Sequence, residues 1–189
     1  MAKKIAAVIV TYNRKKKLLN NLTCILNQSR KLDQIYIIDN ASTDGTKEYI
    51  SDILNKHKVR YVRLDENLGG SGGFFEGVKR AYDDNFDFIW GMDDDAFPDK
   101  NAVCQLEKIN NKLEGKFCLC SNCDDDNDFN NDFKEVKTWM FVGFYLPREV
   151  IKDIGFPRKD FFIYHDDAEY AYRIIHRGYK IYKVRSSII

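Results

Sequence analysis

The feature that most constrains this chain is a regular alternation between short apolar runs and longer stretches with helical periodicity. Residues 5–10 form a continuous apolar run, which is typical of a strand buried on both faces. Residues 15–27 then carry leucine and isoleucine at spacings of three and four, which predicts a helix packed on a sheet. The pair recurs as a strand at 35–38 and a helix over 46–55. This alternation predicts an α/β fold with a doubly wound, mostly parallel central sheet flanked by helices.

The same pattern continues, less regularly, to the end of the chain. Further strands are predicted at 59–64, 86–90, 117–121, 139–146 and 180–184, and further helices through 78–81 and over 100–113, 148–154 and 166–177. Residues 123–133 are acidic, rich in asparagine and almost without apolar side chains, which predicts an exposed loop. No repeat or Pro/Ser-rich linker divides the 189 residues, so a single domain over 1–189 is expected.

Charge and cysteine usage narrow the function classes. The 30 basic and 29 acidic residues nearly cancel, which argues against a general electrostatic attraction to nucleic acid or anionic lipid. The apolar run at 5–10 is shorter than the core of a signal peptide, so the chain is expected to begin in the cytoplasm. Five scattered cysteines, an odd number, fit free thiols in a reducing compartment better than a disulfide framework.

Three consecutive aspartates, Asp93, Asp94 and Asp95, directly follow the apolar strand at 86–90. Ligands of open parallel sheets bind beyond the carboxyl ends of the strands, and adjacent carboxylates repel one another unless a divalent cation lies between them. Taken alone, such a triplet also fits a solvated turn with helix-capping aspartates. Other polar residues expected at the same edge of the sheet are Thr11, Asp39 and Asn67.

A second acidic triplet, residues 124–126, serves as an internal comparison. It lies in the hydrophilic stretch at 123–133, where no strand or helix would fix the geometry of its carboxylates. Asp95, in contrast, is held between a predicted strand and the helix after Pro98. The context of the first triplet therefore favours metal binding, and the context of the second does not.

A glycine-rich segment at 67–73 leads into a predicted helix. Its four glycines permit close approach of the backbone to a phosphate at a helix N-terminus. The spacing is not that of a dinucleotide fingerprint, because Phe75 and Ser71 stand where glycines are needed, and no Gly-Lys-Ser/Thr follows as in a P-loop. A tight turn that happens to be rich in glycine remains the alternative.

Four segments in this order, 8–14, 37–46, 67–70 and 93–95, together resemble the family-2 inverting glycosyltransferases of GT-A fold. The similarity spans nearly the whole chain. The glycine-rich segment and the acidic triplet are most similar to the branch that contains bacterial galactofuranosyl- and rhamnosyltransferases. The resemblance implies a GT-A type, Rossmann-like sheet and a nucleotide-sugar donor.

The resemblance also implies roles for particular residues. The Asp39 carboxylate would accept the N3 hydrogen of uracil or thymine, with Thr11 beside the base. Asp95, with Asp93, would bind a Mn²⁺ or Mg²⁺ ion that bridges the diphosphate. Residues expected to contact the nucleotide sugar are Thr11, Tyr12, Arg14, Asp39, Asn67, Gly70, Asp93 and Asp94.

The best candidates for a catalytic base are two adjacent carboxylates, Asp166 and Asp167, in the first turn of the helix at 166–177. A helix N-terminus favours the ionised carboxylate that an inverting transfer needs in order to accept the proton of the acceptor hydroxyl. From the residues alone, simple capping, with Glu169 paired to Arg173, is equally open. The resemblance makes Asp167 the base and leaves Asp166 to position acceptor or donor.

Three histidines bear on the metal site. His165 precedes the carboxylate pair and could bond a sugar, although a structural role is more common there. His57 and His176 lie at predicted helix ends, away from the crevice. Relatives usually have a metal-binding histidine shortly after the strand at 180–184, and this chain ends at Ile189 without one. We therefore expect that the chain stops before that ligand and before acceptor-binding or membrane-associating helices. Alternatively, aspartates, phosphates and water alone hold the ion.

The cysteines at 118, 120 and 123 could suggest zinc, but a structural zinc site needs a fourth soft ligand, and none is evident nearby. The hypothesis favoured by the sequence is a metal-dependent transfer of sugar from a UDP- or dTDP-sugar to a glycan or lipid-linked glycan at the cell surface. The enzyme would be cytoplasmic, at the inner face of the membrane, with membrane contact through a missing C-terminal region and self-association both open. A non-catalytic nucleotide-sugar-binding or assembly module is the alternative. The glycine spacing disfavours a dinucleotide oxidoreductase.

Overall fold

Strands and helices alternate in the computed structural model, which describes residues 3–123 and 127–189. The first half contains β1 (Ile5–Thr11), α1 (Lys15–Leu26), β2 (Gln34–Asp39), α2 (Thr46–Tyr49), α3 (Ser51–Lys56), β3 (Val59–Arg63), α4 (Gly69–Asp83) and β4 (Phe88–Asp93). The second half contains α5 (Ala102–Asn110), β5 (Phe117–Asn122), β6 (Phe133–Val136), β7 (Phe144–Pro147), α6 (Arg148–Ile154), α7 (Asp166–His176) and β8 (Lys180–Ile188).

The strands form one sheet in the order β3-β2-β1-β4-β7-β5-β8-β6. Strands β3, β2, β1 and β4 are parallel, so their carboxyl ends lie along one edge. Strand β7 runs antiparallel between β4 and β5, and β6 pairs antiparallel with β8 at the far edge, while β5 and β8 are parallel. The predicted sheet flanked by helices is confirmed, with its parallel part concentrated in the first half of the chain.

Helices cover both faces of the sheet, and this explains why residues 5–10 of β1 are all apolar. Every residue of β1 is buried. One face packs against α4, through Phe74 and Val78, and the other against α1 and α5, through residues such as Leu22 and Leu106. The longest helix, α4, has 15 residues. Within the described parts of the chain, no helix combines the length and the apolar character needed to cross a membrane.

Several predicted boundaries differ from the structure. The helix predicted over 46–55 is divided at Ile50, where Ser51 and Asp52, residue types that favour helix starts, begin a new helix. The strand predicted at 139–146 begins only at Phe144, because Gly143 before it has a φ of 76°, outside the extended range. The strand predicted at 86–90 continues to Asp93, and β6 was not predicted. The acidic triplet at 124–126 lies outside the described residues.

Two buried tyrosines provide a matched test of the core. The Tyr145 hydroxyl is buried and has no hydrogen-bond partner among the described residues, whereas the Tyr170 hydroxyl donates to the carbonyl oxygen of Gly155 at 2.9 Å. A buried polar group without a partner costs about 1–3 kcal/mol. We expect Tyr145→Phe to leave the free energy of unfolding unchanged or raise it by about 1 kcal/mol, and Tyr170→Phe to lower it by a similar amount. Urea denaturation measures both, and a loss in Tyr145→Phe as large as that in Tyr170→Phe would contradict the assignment.

Candidate functional site

A cavity of about 660 Å³ opens at the carboxyl edge of β1 and β4. One wall comes from the ends of these strands and from the first turn of α4, and the other from two later segments, 140–142 and 162–167. The site residues predicted from the sequence that line this cavity are Thr11, Tyr12, Arg14, Asn67, Gly70, Asp93, Asp94, Asp166 and Asp167. The strand ends and the start of α7 are therefore brought together, as the sequence predicted.

The three aspartates after β4 have different surroundings. Asp94 is 2% exposed, and its carboxylate accepts hydrogen bonds from the Thr11 hydroxyl at 2.6 Å and from Arg14 at 3.3 Å. Asp95 is not on the cavity wall and is partly exposed, and it forms ion pairs with Arg14 and Lys17, each at 3.0 Å. Asp93 ends β4 and lies on the cavity wall. The cluster thus contains two carboxylates with cationic partners and a third, Asp93, facing the cavity.

The electrostatics of Asp93 follow from this arrangement. Burial raises the pKa of Asp93 to about 7, and the neighbouring charges of Asp94 and Asp95 add to the shift, while Arg14 opposes it. Asp166, from the opposite wall, also raises this pKa. Burial raises the pKa of Asp94 as well. A negative charge on Asp93 is therefore unfavourable unless a cation comes near it.

This shift predicts how stability depends on pH. The folded protein retains a proton on Asp93 up to a pKa of about 7, whereas an unfolded chain loses it near pH 4. The free energy of unfolding should therefore decrease as the pH rises from about 4 to about 7, by at most about 4 kcal/mol from this group. Asp93→Asn should flatten that decrease. Urea denaturation at pH 5 and pH 7.5 measures it in metal-free buffer, and an unchanged slope in the variant would contradict the assignment.

Asp39 lies beside the cavity and does not line it. It is 1% exposed, and its carboxylate accepts hydrogen bonds from the backbone N–H of Ser42 at 2.8 Å and from the hydroxyl of Tyr61. The next residue, Asn40, does line the cavity. A base contact through Asp39 stays a prediction, and it would require the carboxylate to share or exchange its contact with Tyr61.

The glycine-rich segment is helical, which corrects the predicted loop at 67–73. Helix α4 already begins at Gly69, although Gly69 and Gly70 do line the cavity. Further along α4, a Cβ atom at Gly73 would lie 2.5 Å from Val10, and one at Gly77 would overlap with Val8. These two glycines let α4 pack closely on β1. Their spacing of four residues was the signal in the sequence for a helix face.

The start of α4 also holds the opposite wall of the cavity. The Asn40 amide donates to the carbonyl oxygen of Gly69 at 3.0 Å, which fixes the helix start to the end of β2. The backbone N–H of Ser71 donates to the carbonyl oxygen of Phe162 at 3.2 Å. The Ser71 hydroxyl donates to the carbonyl oxygen of Arg158 at 2.8 Å. At Gly69, which has a φ of 71°, a Cβ atom would overlap with the backbone of Phe162. The segment before α7 therefore rests directly on this glycine.

The carboxylate pair lies in the first turn of α7. Asp166 is 8% exposed, and burial, followed by the charge of Asp167, raises its pKa. The Asp167 carboxylate accepts a hydrogen bond from the backbone N–H of Ala168 at 2.7 Å and also lines the cavity. Glu169 pairs with Arg173 at 2.9 Å, as one alternative predicted. Asp167 is thus the more exposed of the two and is placed to meet a ligand.

Several wall residues were not predicted from the sequence. His165, for which the sequence leaves a sugar contact and a structural role open, has a φ of 65° and lines the cavity. The unpredicted lining residues are Val10, Asn40, Gly69, Phe74, Met140, Phe141, Val142, Phe162, Ile163 and Tyr164. Asn40 could have been found, because it directly follows a buried strand. The aromatic and apolar residues at 140–142 and 162–164 have no such signal, since only the tertiary fold brings them to the strand ends.

No three His, Cys, Asp or Glu side chains within residues 3–123 and 127–189 are grouped so that they could hold a metal by themselves. Asp93 and Asp95 could supply at most part of a coordination shell. Cys118 is fully buried in β5, and burial raises its pKa well above the usual thiol value, which disfavours the thiolate that zinc requires.

Sequence comparison shows that this chain is similar to known glycosyltransferases. The chain is 32% identical over 99 residues to the galactofuranosyltransferase GlfT1 of Mycolicibacterium smegmatis, and 41% identical over 107 residues to the abequosyltransferase RfbV of Salmonella typhimurium. These alignments cover 52% and 53% of the chain, but only 32% and 31% of the relatives. The chain therefore matches less than a third of the length of each of these relatives.

Among solved structures, the mannosyltransferase PcManGT from Pyrobaculum calidifontis, in complex with GDP-Man and Mn²⁺, superposes with a TM-score of 0.81 at 17% identity. The superposition covers 100% of this chain and 56% of that one, and it confirms the GT-A fold. The family model for glycosyl transferase family 2 matches residues 6–173. With a match over most of its length, and with the fold and the strand-end cavity expected for it, this chain belongs to glycosyl transferase family 2.

Proposed function

We propose that this chain is the nucleotide-sugar-binding and catalytic domain of an inverting glycosyltransferase. It would move a sugar from a UDP- or dTDP-sugar to a hydroxyl of a cell-surface glycan. The observation that carries the proposal is that one cavity, of about 660 Å³, has Asp93 on one side of its wall and Asp167 on the other. A donor anchor and a base on facing walls are the two groups that such a transfer needs.

The nucleotide would lie at the ends of β1 and β2. Thr11, Tyr12 and Asn67 supply polar and aromatic surface there, and Asp39 would accept the N3 hydrogen of uracil or thymine. GDP-Man is bound in the similar mannosyltransferase structure. Guanine also has N–H groups from which a carboxylate can accept hydrogen bonds. Calorimetric affinities for UDP, dTDP and GDP would distinguish the three bases.

The acidic cluster fits a divalent cation bound together with the diphosphate. The raised pKa of Asp93 reflects negative charge in a buried setting, which a nearby cation would relieve, and Asp95 offers a second, partly exposed carboxylate. Phosphate oxygens and water would complete the shell of a Mn²⁺ or Mg²⁺ ion. When bound, the ion would stabilise the negative charge that develops on the leaving diphosphate. Arg14 and Lys17 now pair with Asp95, and they would then be free to turn towards the phosphates.

Asp167 would act as the base. Its carboxylate would accept the proton of the acceptor hydroxyl while that oxygen attacks the anomeric carbon from the face opposite the diphosphate. The bond between the anomeric carbon and the phosphate oxygen breaks in the same step, and the nucleoside diphosphate leaves with the electron pair. Because attack and departure take place on opposite faces, the configuration of the anomeric carbon is inverted. Asp166, more deeply buried beside it, would position the acceptor or donor.

The acceptor and the cellular setting belong to the proposal as well. We take a glycan or lipid-linked glycan as acceptor, and a cytoplasmic location at the inner face of the membrane. The exposed aromatic and apolar side chains of Phe162, Ile163 and Tyr164 at the cavity rim would provide surface for such an acceptor.

A non-catalytic nucleotide-sugar-binding or assembly module is the second candidate, because the alignments cover only 32% and 31% of the length of the two relatives. Donor hydrolysis separates the two. A transferase domain should hydrolyse its proper donor slowly in the presence of Mn²⁺, and a panel of UDP-, dTDP- and GDP-sugars followed by chromatography would detect the released nucleotide. Binding of a nucleotide sugar with no hydrolysis across the whole panel would favour the module.

A further inference from the structure

Residues 93–96, the acidic turn, follow directly on the last pairing of β4 with β1. The backbone N–H of Ala96 donates to the carbonyl oxygen of Asp93 at 3.3 Å, as in a β-turn. The backbone N–H of Asp94 donates to the carbonyl oxygen of Val10 at 3.1 Å, which ties the start of the turn to β1. The far end of the turn leads into irregular chain. The directions of its carboxylates therefore depend on what holds the turn from the other side.

One side of α1 faces the acidic turn. Arg14, at the N-cap of the helix, and Lys17 form the ion pairs with Asp94 and Asp95. Asn21 lies four residues after Lys17, at the spacing that places side chains on the same side of a helix. The side chains of Arg14 and Lys17 are 51% and 54% exposed, so water and dissolved ions compete for their ion pairs. These pairs can hold the turn only until a ligand takes their place.

Asn21 holds the acidic turn by its backbone. The side-chain amide donates to the carbonyl oxygen of Ala96 at 2.6 Å and, at 3.4 Å, to the carbonyl oxygen of Asp93, so one amide spans both ends of the turn. Asn21 is fully buried, and a hydrogen bond away from water is stronger than an exposed one. The contact of Asn21 with the turn therefore does not depend on the exposed ion pairs beside it.

The polarity of Asn21 is unusual for its position. Leu18, Leu22 and Ile25, its neighbours on the buried side of α1, pack in the apolar core. The carboxamide oxygen of Asn21 is buried and has no hydrogen-bond partner among the described residues, which costs free energy. A leucine would continue the apolar stripe and leave no unpaired side-chain oxygen. The turn that it binds, and not the core around it, explains an asparagine at this position.

We propose that Asn21 is a positioning residue for the divalent ion and the diphosphate. By holding the backbone of the acidic turn, it keeps the carboxylates of Asp93 and Asp95 in the direction that the ion needs. It continues to do so after Arg14 and Lys17 have left Asp95. The inference rests on the proposed function, and Asn21 itself touches neither the nucleotide nor the ion. The ion pairs change when the ligand binds, whereas the bonds of Asn21 stay the same.

Gln28, just after α1, provides a matched control. It is also fully buried, and its amide donates to the carbonyl oxygen of Asp99 at 2.8 Å, while its side-chain oxygen accepts from the backbone N–H of Val103 at 3.2 Å. These bonds hold the chain beyond the acidic turn. Gln28→Ala removes three hydrogen bonds and Asn21→Ala removes two. A loss of stability alone would therefore affect both variants, whereas a loss of positioning affects only Asn21→Ala.

The Mn²⁺ requirement of UDP binding tests the proposal. UDP is titrated by calorimetry at a series of Mn²⁺ concentrations, at a temperature at which circular dichroism shows every variant folded. The Mn²⁺ concentration that gives half of the maximal UDP affinity should rise about tenfold or more in Asn21→Ala, and in Gln28→Ala it should stay within about threefold of the wild type. In the ligand-free protein, hydrogen exchange measured by mass spectrometry should become about tenfold faster in the acidic turn of Asn21→Ala only.

Asn21→Leu replaces Asn21→Ala if the alanine variant does not fold, because leucine fills the space of the amide among apolar neighbours and lacks its donor. An unchanged Mn²⁺ requirement in the folded Asn21 variant, or an equal rise in Gln28→Ala, overturns the proposal. Unchanged hydrogen exchange in the acidic turn overturns it as well. UDP binding by the wild type that is absent, or that needs no Mn²⁺, would instead overturn the proposed function, and the role of Asn21 with it.

Discussion

Replacing Asp167 by asparagine is expected to lower sugar transfer by about 10²–10⁴-fold, the usual contribution of a general base. The amide has the shape of the carboxylate but cannot accept the proton of the acceptor hydroxyl. Asp167 lies at the start of α7, where its carboxylate accepts a hydrogen bond from the adjacent backbone N–H at 2.7 Å and faces the cavity. Its loss should therefore leave both UDP binding and the fold intact. Radiolabelled donor transfer, with calorimetry of UDP in parallel, measures the two effects separately.

Glu169→Gln provides the matched control for Asp167→Asn. Glu169 lies in the same turn of α7, but its carboxylate pairs with Arg173 at 2.9 Å and does not line the cavity. The control should keep transfer within a few-fold of the wild type and lose only a little stability. Full turnover in Asp167→Asn would remove this residue from the role of base, and an equal loss in both variants would point to disturbance of the helix.

The second large effect is expected at the start of α4. Gly69→Ala should lower the free energy of unfolding by at least about 2 kcal/mol, because a left-handed backbone costs a non-glycine residue about 1–2 kcal/mol and the new Cβ atom would overlap with Phe162. The displaced segment before α7 carries His165 and the carboxylate pair on the cavity wall. UDP binding should weaken together with stability. Thermal unfolding and calorimetry would record both.

Gly70→Ala tests the same substitution one residue later. Gly70 lacks the positive φ of Gly69, and a Cβ atom placed on it would have no atom within 4 Å. Alanine also favours the helix over glycine, so stability should be unchanged or slightly higher. Similar destabilisation by Gly69→Ala and Gly70→Ala would contradict the view that the segment before α7 rests specifically on Gly69.

Much of the fold could be predicted because periodicity and burial are local signals. The run at 5–10 and the leucine stripe of α1 each reveal their structure through a few neighbouring residues. The antiparallel strands were harder to predict. Strand β6 has only four residues, none of them fully buried, and β7 follows a glycine-containing turn. Their pairing depends on distant partners in β8 and β5, which no local pattern records.

The candidate site shows the same division. The aspartates at 93–95 and the pair at 166–167 could be proposed because each follows or begins a recognisable element. The fold brings Asp93 and Asp166 close enough for one charge to affect the pKa of the other. Met140 and Phe141 could not be assigned, since the sequence predicted a continuous strand there and the structure has an irregular segment before β7. Residues held by loops depend on tertiary contacts, so their neighbours could not be predicted from the sequence.

The most direct test of the donor site is calorimetric titration of UDP into the wild-type protein and Asp95→Ala, each with Mn²⁺ and with EDTA. Asp95 pairs with Arg14 and Lys17 in the absence of ligand, so the ion must compete with both side chains for this carboxylate. We expect saturable UDP binding by the wild type only when Mn²⁺ is present, and little or none by Asp95→Ala. UDP binding of equal strength with EDTA, or unchanged metal-dependent binding in Asp95→Ala, would contradict the proposed metal-dependent nucleotide-sugar site.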